Sequence, residues 1–592
     1  MWPKEVKNSY NMSYPLLLLL APIIAFWMVE TLQNGDIFNI SLYAVMGNLI
    51  LYMFYFVIIF SILKSSMYTV VIGEGIFFIV GLINRYVLEF RQLPLLPTDL
   101  LSIDTAFKVL NNYKYEWFNF EVIICIFVFS NMIILAYLFS DYKINNSLKV
   151  NMGFGIIICI IFSMLFTVIF KMDILEKLKI NPYQWKQDIG YINNGFLLSF
   201  IGNTKYLLVE KPDDYDINEI RKFQNKMSNI NISKENKKSP NIIAIMDESF
   251  SELKEIFDLE TRDEYIPFIN SMDKNILKGT LLVSSFAGNT CNTEFEFLTS
   301  NSMAFLPRGS IPYQQYIDKS TDGLVSILNN QGYESIAIHP YSPKGWNRVR
   351  VYKHLGFSNF LSEEDFKSPG YIRGYISDES SFEKIIEVYN NRDKSKGIFI
   401  FNVTMQNHGG YNIEDNNYEK RVYVKNIQEA QQIDEYLSLI NKTDSAVQNL
   451  IDYFNNIDEP TVILFFGDHQ PGLNEQFYEN IDKNSLEELQ KKYKVPFFIW
   501  TNFDRESKQL GTISSNYLAT VLLEVCGLEI PQYNIFLGEL MNNIPAINSN
   551  GYLDKDGIYH YLNEDNEYKD LLYRYSCLQY NNLFDKYNKL NS

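Results

Sequence analysis

Five long apolar runs crowd the first 170 residues, at 14–32 (YPLLLLLAPIIAFWMVETL), 41–63, 67–84, 120–140 and 151–170. Crossing the hydrocarbon of a bilayer takes about 20 mostly apolar residues. A crossing backbone must also satisfy its own N–H and C=O groups, which a helix does within one segment. Five such runs in so short a stretch exceed what a soluble core of that length buries. The chain therefore opens as a polytopic helical membrane domain of five transmembrane helices. The third run is the weakest, because Glu74 interrupts it, and an acid at that depth needs a partner or a watery cavity.

Basic residues in short loops set the orientation. Lys4 and Lys7 precede the first run, Lys64 lies between the second and third, and Lys143 and Lys149 lie between the fourth and fifth. The loop QNGDIFNI after the first run has none. That pattern keeps the N-terminus inside and, with an odd number of spans, sends everything after residue 170 to the extracellular side. The 85–119 loop runs against it with Arg85, Arg91, Lys108 and Lys114; its PLLPTDLL core reads as re-entrant or surface-lying. The first run is too long for a cleavable signal, and no A-x-A follows it. Residues 171–238 are mixed polar with one apolar patch, NGFLLSFI (194–201), and read as a juxtamembrane linker.

A chain of 592 residues exceeds one ordinary core. Its formal net charge of -17 argues against a nucleic-acid partner, whose phosphates call for clustered Lys and Arg. The cysteines give no disulfide or zinc framework, since none are spaced as CxxC.

From residue 241 onward, short apolar runs alternate with amphipathic stretches such as 428–455. The runs are NIIAIM (241–246), TLLVSSF (280–286), SIAIHP (335–340), IFIFNVTM (398–405), TVILFF (461–466) and VPFFIW (495–500). Strand and helix in alternation predict an α/β domain with a mainly parallel sheet. Ligands of such sheets bind outside the carboxyl ends of the strands, and several runs end in chemistry-bearing groups. Asp247 and Glu248 follow the first; AGNTCNTEFEF, with Thr290 at a helix start, follows the second. Asn407 and His408 follow the fourth run, and Asp468 and His469 follow the fifth. Each has a plainer reading: Thr290 with Glu294 fits a helix cap, Glu248 a first-turn carboxylate, and His408 before two glycines a turn. Their convergence on one sheet edge favours a site. Two carboxylates, an imidazole and a hydroxyl suit one hard-to-borderline divalent cation, which would activate the hydroxyl as a nucleophile. In HPYSPKGWNRVRVYKHLGF (339–357), Trp346 and Arg348 are two apart, so an extended loop would present both to one side. An Arg fork there suits phosphate.

These residues resemble the lipoteichoic acid synthase and phosphoglycerol transferase group of bacterial membrane enzymes, within the sulfatase/alkaline phosphatase superfamily. The resemblance rests on DESF (247–250), GNTCNTEF (288–295), GWNR (345–348), MQNHGGY (405–411) and FFGDHQPG (465–472), and it covers nearly the whole chain. It implies Thr290 as nucleophile, with Glu248, Thr290, Asp468 and His469 holding one Mn²⁺ or Mg²⁺. It implies Trp346, Arg348 and His408 as the grip on the glycerophosphate head, with His339 as an addition and His408 also as acid/base. The donor it implies is phosphatidylglycerol, and the acceptor a polyglycerolphosphate (lipoteichoic acid) chain or a glycan. The domain scheme it implies is membrane domain 1–170, linker 171–238, extracellular sulfatase-like catalytic domain 239–545 and C-terminal extension 546–592. A sulfatase proper is excluded, because Cys291 lacks the C/S-x-P-x-R signature. The alternatives are a phosphoethanolamine transferase, which usually has richer His ligation and cysteine bridges, and a catalytically inactive membrane-anchored scaffold.

Overall fold

The computed structural model describes residues 13–34, 40–91, 94–101, 119–139, 187–204, 209, 211–227 and 239–585, apart from 344, 412–416, 429, 479–480 and 483–484. The chain divides into two units, Met1–Ile103 with Tyr113–Leu208, and Asp104–Asn112 with Val209–Ser592.

In the first unit, helices Ser13–Asn34, Leu42–Leu63, Ser66–Arg91 and Phe120–Phe139 match the first four apolar runs. Each is long and apolar enough to cross a membrane; the fifth run, 151–170, lies outside the described residues. On Leu42–Leu63 the buried stripe is Ala44, Asn48, Tyr52 and Phe56, spaced by four as one helix face requires. Leu42, Met46, Ile50 and Val57 point outward, which suits lipid. Glu74 is buried, and neither carboxylate oxygen has a hydrogen-bond partner.

The linker expectation fails for part of 171–238. Gln187–Asn194 and Phe196–Asn203 are two short helices held by polar groups of the membrane helices. The Phe196 N–H donates to Glu30 Oε1 at 2.7 Å, the Leu198 N–H donates to Asn48 Oδ1 at 2.9 Å, and Asn48 Nδ2 donates to the Asn194 carbonyl at 2.6 Å. Glu30 and Asn48 thus satisfy the open N–H groups of the second short helix. Gly195 (φ 77°) makes the break; a Cβ there would lie 2.7 Å from Asn48 Nδ2 and 2.9 Å from Glu30 Oε1.

The second unit is built on one eight-stranded sheet. Its strands are β1 (Asn241–Asp247), β2 (Ile276–Leu282), β3 (Tyr333–Ile338), β4 (Asn359–Leu361), β7 (Gly397–Val403), β8 (Thr461–Gly467), β9 (Lys494–Thr501) and β10 (Lys508–Ser514). Between β4 and β7 in the chain lies a separate hairpin, β5 (Tyr371–Ile372) and β6 (Tyr375–Ile376). The sheet order is β10-β2-β9-β8-β1-β7-β3-β4. Pairing is parallel except where β9 meets β2 and β8, so the sheet is mainly parallel, as expected. The central strands are buried on both faces, which explains their continuous apolar runs. Alternate residues feed two cores. Ile242, Ala244, Met246, Leu464 and Phe466 pack with the helices Thr290–Thr299 and Ser515–Cys526, while Ile243, Ile245, Ile463 and Phe465 pack with Asp378–Asn390 and Gln431–Asn455.

Residues 546–592 are corrected too. Strands β11 (Ala546–Asn548), β12 (Gly551–Leu553) and β13 (Tyr559–His560) form a small sheet, and Lys569–Leu583 is a helix. They belong to the second unit rather than extending from it: Asn548 Nδ2 donates to the Val283 carbonyl, Tyr575 OH to the Ser300 carbonyl and Gln579 Nε2 to the Ser302 carbonyl, each at 2.9 Å. This segment attaches through Asn, Gln and Tyr side chains as well as apolar ones, so hydrophobic periodicity did not reveal it.

Candidate active site

The carboxyl ends of β1, β8, β7 and β3 deliver Glu248, Asp468 with His469, His408 and His339. Asp247 pairs in register with Gly467, so the two chain segments leave the sheet side by side. Only glycine fits at 467, because a Cβ there would sit 1.9 Å from the Phe250 carbonyl oxygen. The Asp247 carboxylate accepts from Asn407 Nδ2 at 2.9 Å and Thr404 Oγ1 at 3.1 Å.

Glu248, Asp468 and His469 are buried, and one ligating atom of each lies within 4.8 Å of the others. His469 Nδ1–H donates to the Gln470 carbonyl at 2.9 Å. That leaves the Nε2 lone pair 3.2 Å from Asp468 Oδ2 and 3.8 Å from Glu248 Oε1. Asp468 Oδ1 accepts the backbone N–H groups of Ser249 and His469, both at 2.7 Å. Asp468 Oδ2 is buried with no hydrogen-bond partner. Burial and the Asp468 charge hold the Glu248 carboxyl well above its ordinary range; burial also raises Asp468, opposed by His469. Two buried carboxylates, an orphaned oxygen and an imidazole lone pair turned toward them lack a positive charge. Their all-oxygen-and-nitrogen set fits a divalent cation.

Thr290 is the first residue of Thr290–Thr299, reached through Ala287, Gly288 and Asn289, all with positive φ. Asn289 caps the helix without a side-chain hydrogen bond. The Thr290 hydroxyl donates toward Glu248 Oε2 at 3.4 Å and lies 3.5 Å from His469 Nε2. It faces the carboxylate cluster from the first turn of the helix, where backbone N–H groups lack intrahelical partners.

Arg348 is not the open fork that its spacing from Trp346 suggested. The loop is a tight turn: Trp346 and Asn347 have φ of 55° and 58°, and Arg348 starts the helix Arg348–Leu355. The guanidinium is buried against Glu294, which accepts from Nε at 3.1 Å and from one terminal nitrogen at 2.5 Å. The other terminal nitrogen donates to His339 Nε2 at 3.1 Å, and His339 Nδ1–H donates to the Val403 carbonyl at 2.9 Å. Tyr352 OH donates to Glu294 Oε2 at 2.6 Å. Burial opposes the Arg348 charge, yet Glu294 holds its pKa above the ordinary value. Burial and Arg348 push His339 well below its own. These bonds engage three of the five Arg348 N–H groups. Trp346 is half-buried and packs against the core on the Thr290 side of the sheet.

His408 Nδ1 lies 3.3 Å from Tyr375 OH, and burial with His469 and Arg373 nearby lowers its pKa to about 4. Arg373, from the β5–β6 turn, donates to the His408 and Gly409 carbonyls at 3.2–3.3 Å. The structure therefore brings Glu248, Thr290, Asp468 and His469 together. Arg348 and His339 join them through Glu294 on the Thr290 helix, and His408 sits with Tyr375. Sequence reasoning missed Glu294 as a counter-ion, although its place four residues after Thr290 was visible. It missed Tyr352, Arg373 and Tyr375 altogether, and no local signal marks them.

Residues 240–528 match the family model described as Sulfatase. A Rhizobium meliloti (strain 1021) protein, provisionally named for cyclic beta-1,2-glucan modification, is 32% identical over 65% of this chain and 60% of its own length. The lipoteichoic acid synthase of Staphylococcus saprophyticus is 26% identical over 42% of this chain and 38% of its own. The chain thus spans 60% or less of the length of these curated relatives. The solved Streptococcus pyogenes phosphoglycerol transferase GacH, in complex with sn-glycerol-1-phosphate, superposes with a TM-score of 0.55 at 25% identity, covering 64% of this chain and 96% of that one. Residues 240–528 thus carry a sulfatase-type domain, and the chain is similar to lipoteichoic acid synthases and to a phosphoglycerol transferase.

Proposed function

We propose that this chain is a metal-dependent phosphoglycerol transferase that moves glycerol phosphate from phosphatidylglycerol to a cell-envelope acceptor through a covalent intermediate on Thr290. The observation that carries the reading is the Thr290 hydroxyl at a helix start, 3.4 Å from Glu248 and 3.5 Å from His469. Glu248, Thr290, Asp468 and His469 would hold one Mn²⁺ or Mg²⁺. When bound, that ion supplies positive charge to the nucleophile and to the phosphoryl oxygens.

In the first half-reaction the Thr290 Oγ–P bond forms and the bond from phosphorus to the diacylglycerol oxygen breaks. The Thr290 proton ends on the departing diacylglycerol, whose oxygen His408 serves as acid/base. In the second, an acceptor oxygen attacks phosphorus, His408 takes its proton, and Thr290 leaves and regains one. His408 enters as a neutral imidazole near pH 7, since burial with His469 and Arg373 nearby lowers its pKa to about 4. The helix N-terminus and the two remaining Arg348 N–H groups stabilise charge on the phosphoryl oxygens, while Trp346, Arg348, His339 and His408 line the glycerophosphate subsite. With the apolar run 151–170 counted as a fifth span, the basic residues before the first span support an extracellular side for this unit. Against a phosphoethanolamine transferase, one histidine joins the carboxylates, and the four described cysteines are free.

Mass spectrometry of the purified protein with phosphatidylglycerol tests the reading. A glycerophosphate adduct on Thr290 is expected, and Thr290→Ala should lose transfer by ~10³-fold or more while staying folded. Transfer that continues in Thr290→Ala, with no adduct in the wild type, overturns it.

A further inference from the structure

Four rings stand in an arc beside the site. His339 and Tyr341 have centroids 6.2 Å apart, Tyr341 and Tyr375 6.1 Å, and Tyr375 and His408 5.5 Å. They come from three loops: the one after β3, the β5–β6 hairpin and the one after β7. His339, at one end, is buried, and His408 stands at the other end. Tyr341, Tyr375 and His408 are half-buried, so the wall is open to solvent on one side and is not core. Tyr375 also reaches His408 Nδ1 at 3.3 Å, tying the wall to the proposed acid/base.

A wall of π faces and phenol hydroxyls recognises a body with C–H faces and surrounding hydroxyls. It offers little to a polyanion beyond the one phosphoryl group that the remaining Arg348 N–H groups serve, because acids and carbonyls offset the charge of the two arginines beside it. Arg348 is neutralised by Glu294, and Arg373 is held by the His408 and Gly409 carbonyls with Glu435 at 3.8 Å. The chain carries a net charge of -17, with the acidic excess after residue 240, which repels a negatively charged polymer.

We propose that Tyr341 and Tyr375 form the acceptor subsite and that it takes a neutral glycan, one sugar ring packed on the wall with a hydroxyl directed toward His408. This rests on the phosphoglycerol transferase reading above. It commits that reading to a sugar acceptor over a polyglycerolphosphate chain.

The test gives the full-length protein, in micelles containing phosphatidylglycerol, either a neutral gluco-oligosaccharide or a polyglycerolphosphate oligomer. Released diacylglycerol and acceptor-bound glycerol phosphate are followed separately. The oligosaccharide should speed diacylglycerol release and gain glycerol phosphate. Tyr341→Ala should raise its KM by about tenfold while the first-turnover burst of diacylglycerol keeps its wild-type size, and Tyr341→Phe should keep most of the affinity. An unlabelled oligosaccharide, labelling of the polyglycerolphosphate in its place, or a wild-type acceptor KM in Tyr341→Ala overturns the subsite. Absence of any burst in the wild type overturns the transferase reading itself, and the subsite with it.

Discussion

Glu294 and Arg348 make a buried ion pair between the helix that begins at Thr290 and the helix that begins at Arg348, with side chains only 0% and 3% exposed. Removing one partner leaves a buried charge without compensation, which costs about 3–5 kcal/mol. Glu294→Gln should therefore lower the unfolding free energy by about that much, and Glu294→Gln with Arg348→Met should recover a large part. Strictly additive losses in a denaturant double-mutant cycle would show that the two are uncoupled. His408 adds a pH dependence. Its folded-state pKa of about 4 lies below the unfolded value of about 6.5, so the folded state binds fewer protons. The stability it contributes is present above about pH 6.5 and lost as pH falls through about 4. Melting temperatures of the wild type should fall across that window, and those of His408→Gln should fall less.

Among the elements, the parallel strands were the most legible. The runs at 241–246, 398–405 and 461–466 are β-branched and aromatic because these strands are buried on both faces. The run at 280–286 is displaced, since β2 is Ile276–Leu282. β10, with exposed Lys508 and Gln509, is an edge strand whose polar side left no apolar run to read. The end of β8 carries a sharp steric demand. Gly467→Ala places a methyl 1.9 Å from the Phe250 carbonyl, forcing apart the β1 and β8 exits that carry Glu248 and Asp468. A loss of about 1–3 kcal/mol is expected, with a larger fractional loss of activity because the ligand spacing opens. A variant with wild-type activity and melting temperature would show that the exits tolerate the displacement.

Across the whole molecule, the orphaned Asp468 Oδ2 and the acids around it give a prediction that needs no substrate. Chelation should lower the melting temperature, and Mn²⁺ added back should restore it, by RT ln(1 + [L]/Kd) of about 2.7 kcal/mol at a hundredfold excess over Kd. A melting curve indifferent to chelator and to Mn²⁺ would count against a cation at this cluster. The membrane character, the strand-helix alternation and the placing of Asp, His and Thr at strand ends are properties of short stretches. Hydropathy and period express them directly, so the sequence alone determined them. The holding of Asp247 by Asn407 and Thr404, the pairing of Arg348 with Glu294, the docking of 187–203 against Glu30 and Asn48 and the ring arc of Tyr341 and Tyr375 were decided by tertiary structure. Each joins residues of distant segments, brought together only by the order in which strands and helices pack. That order leaves no trace in any local window.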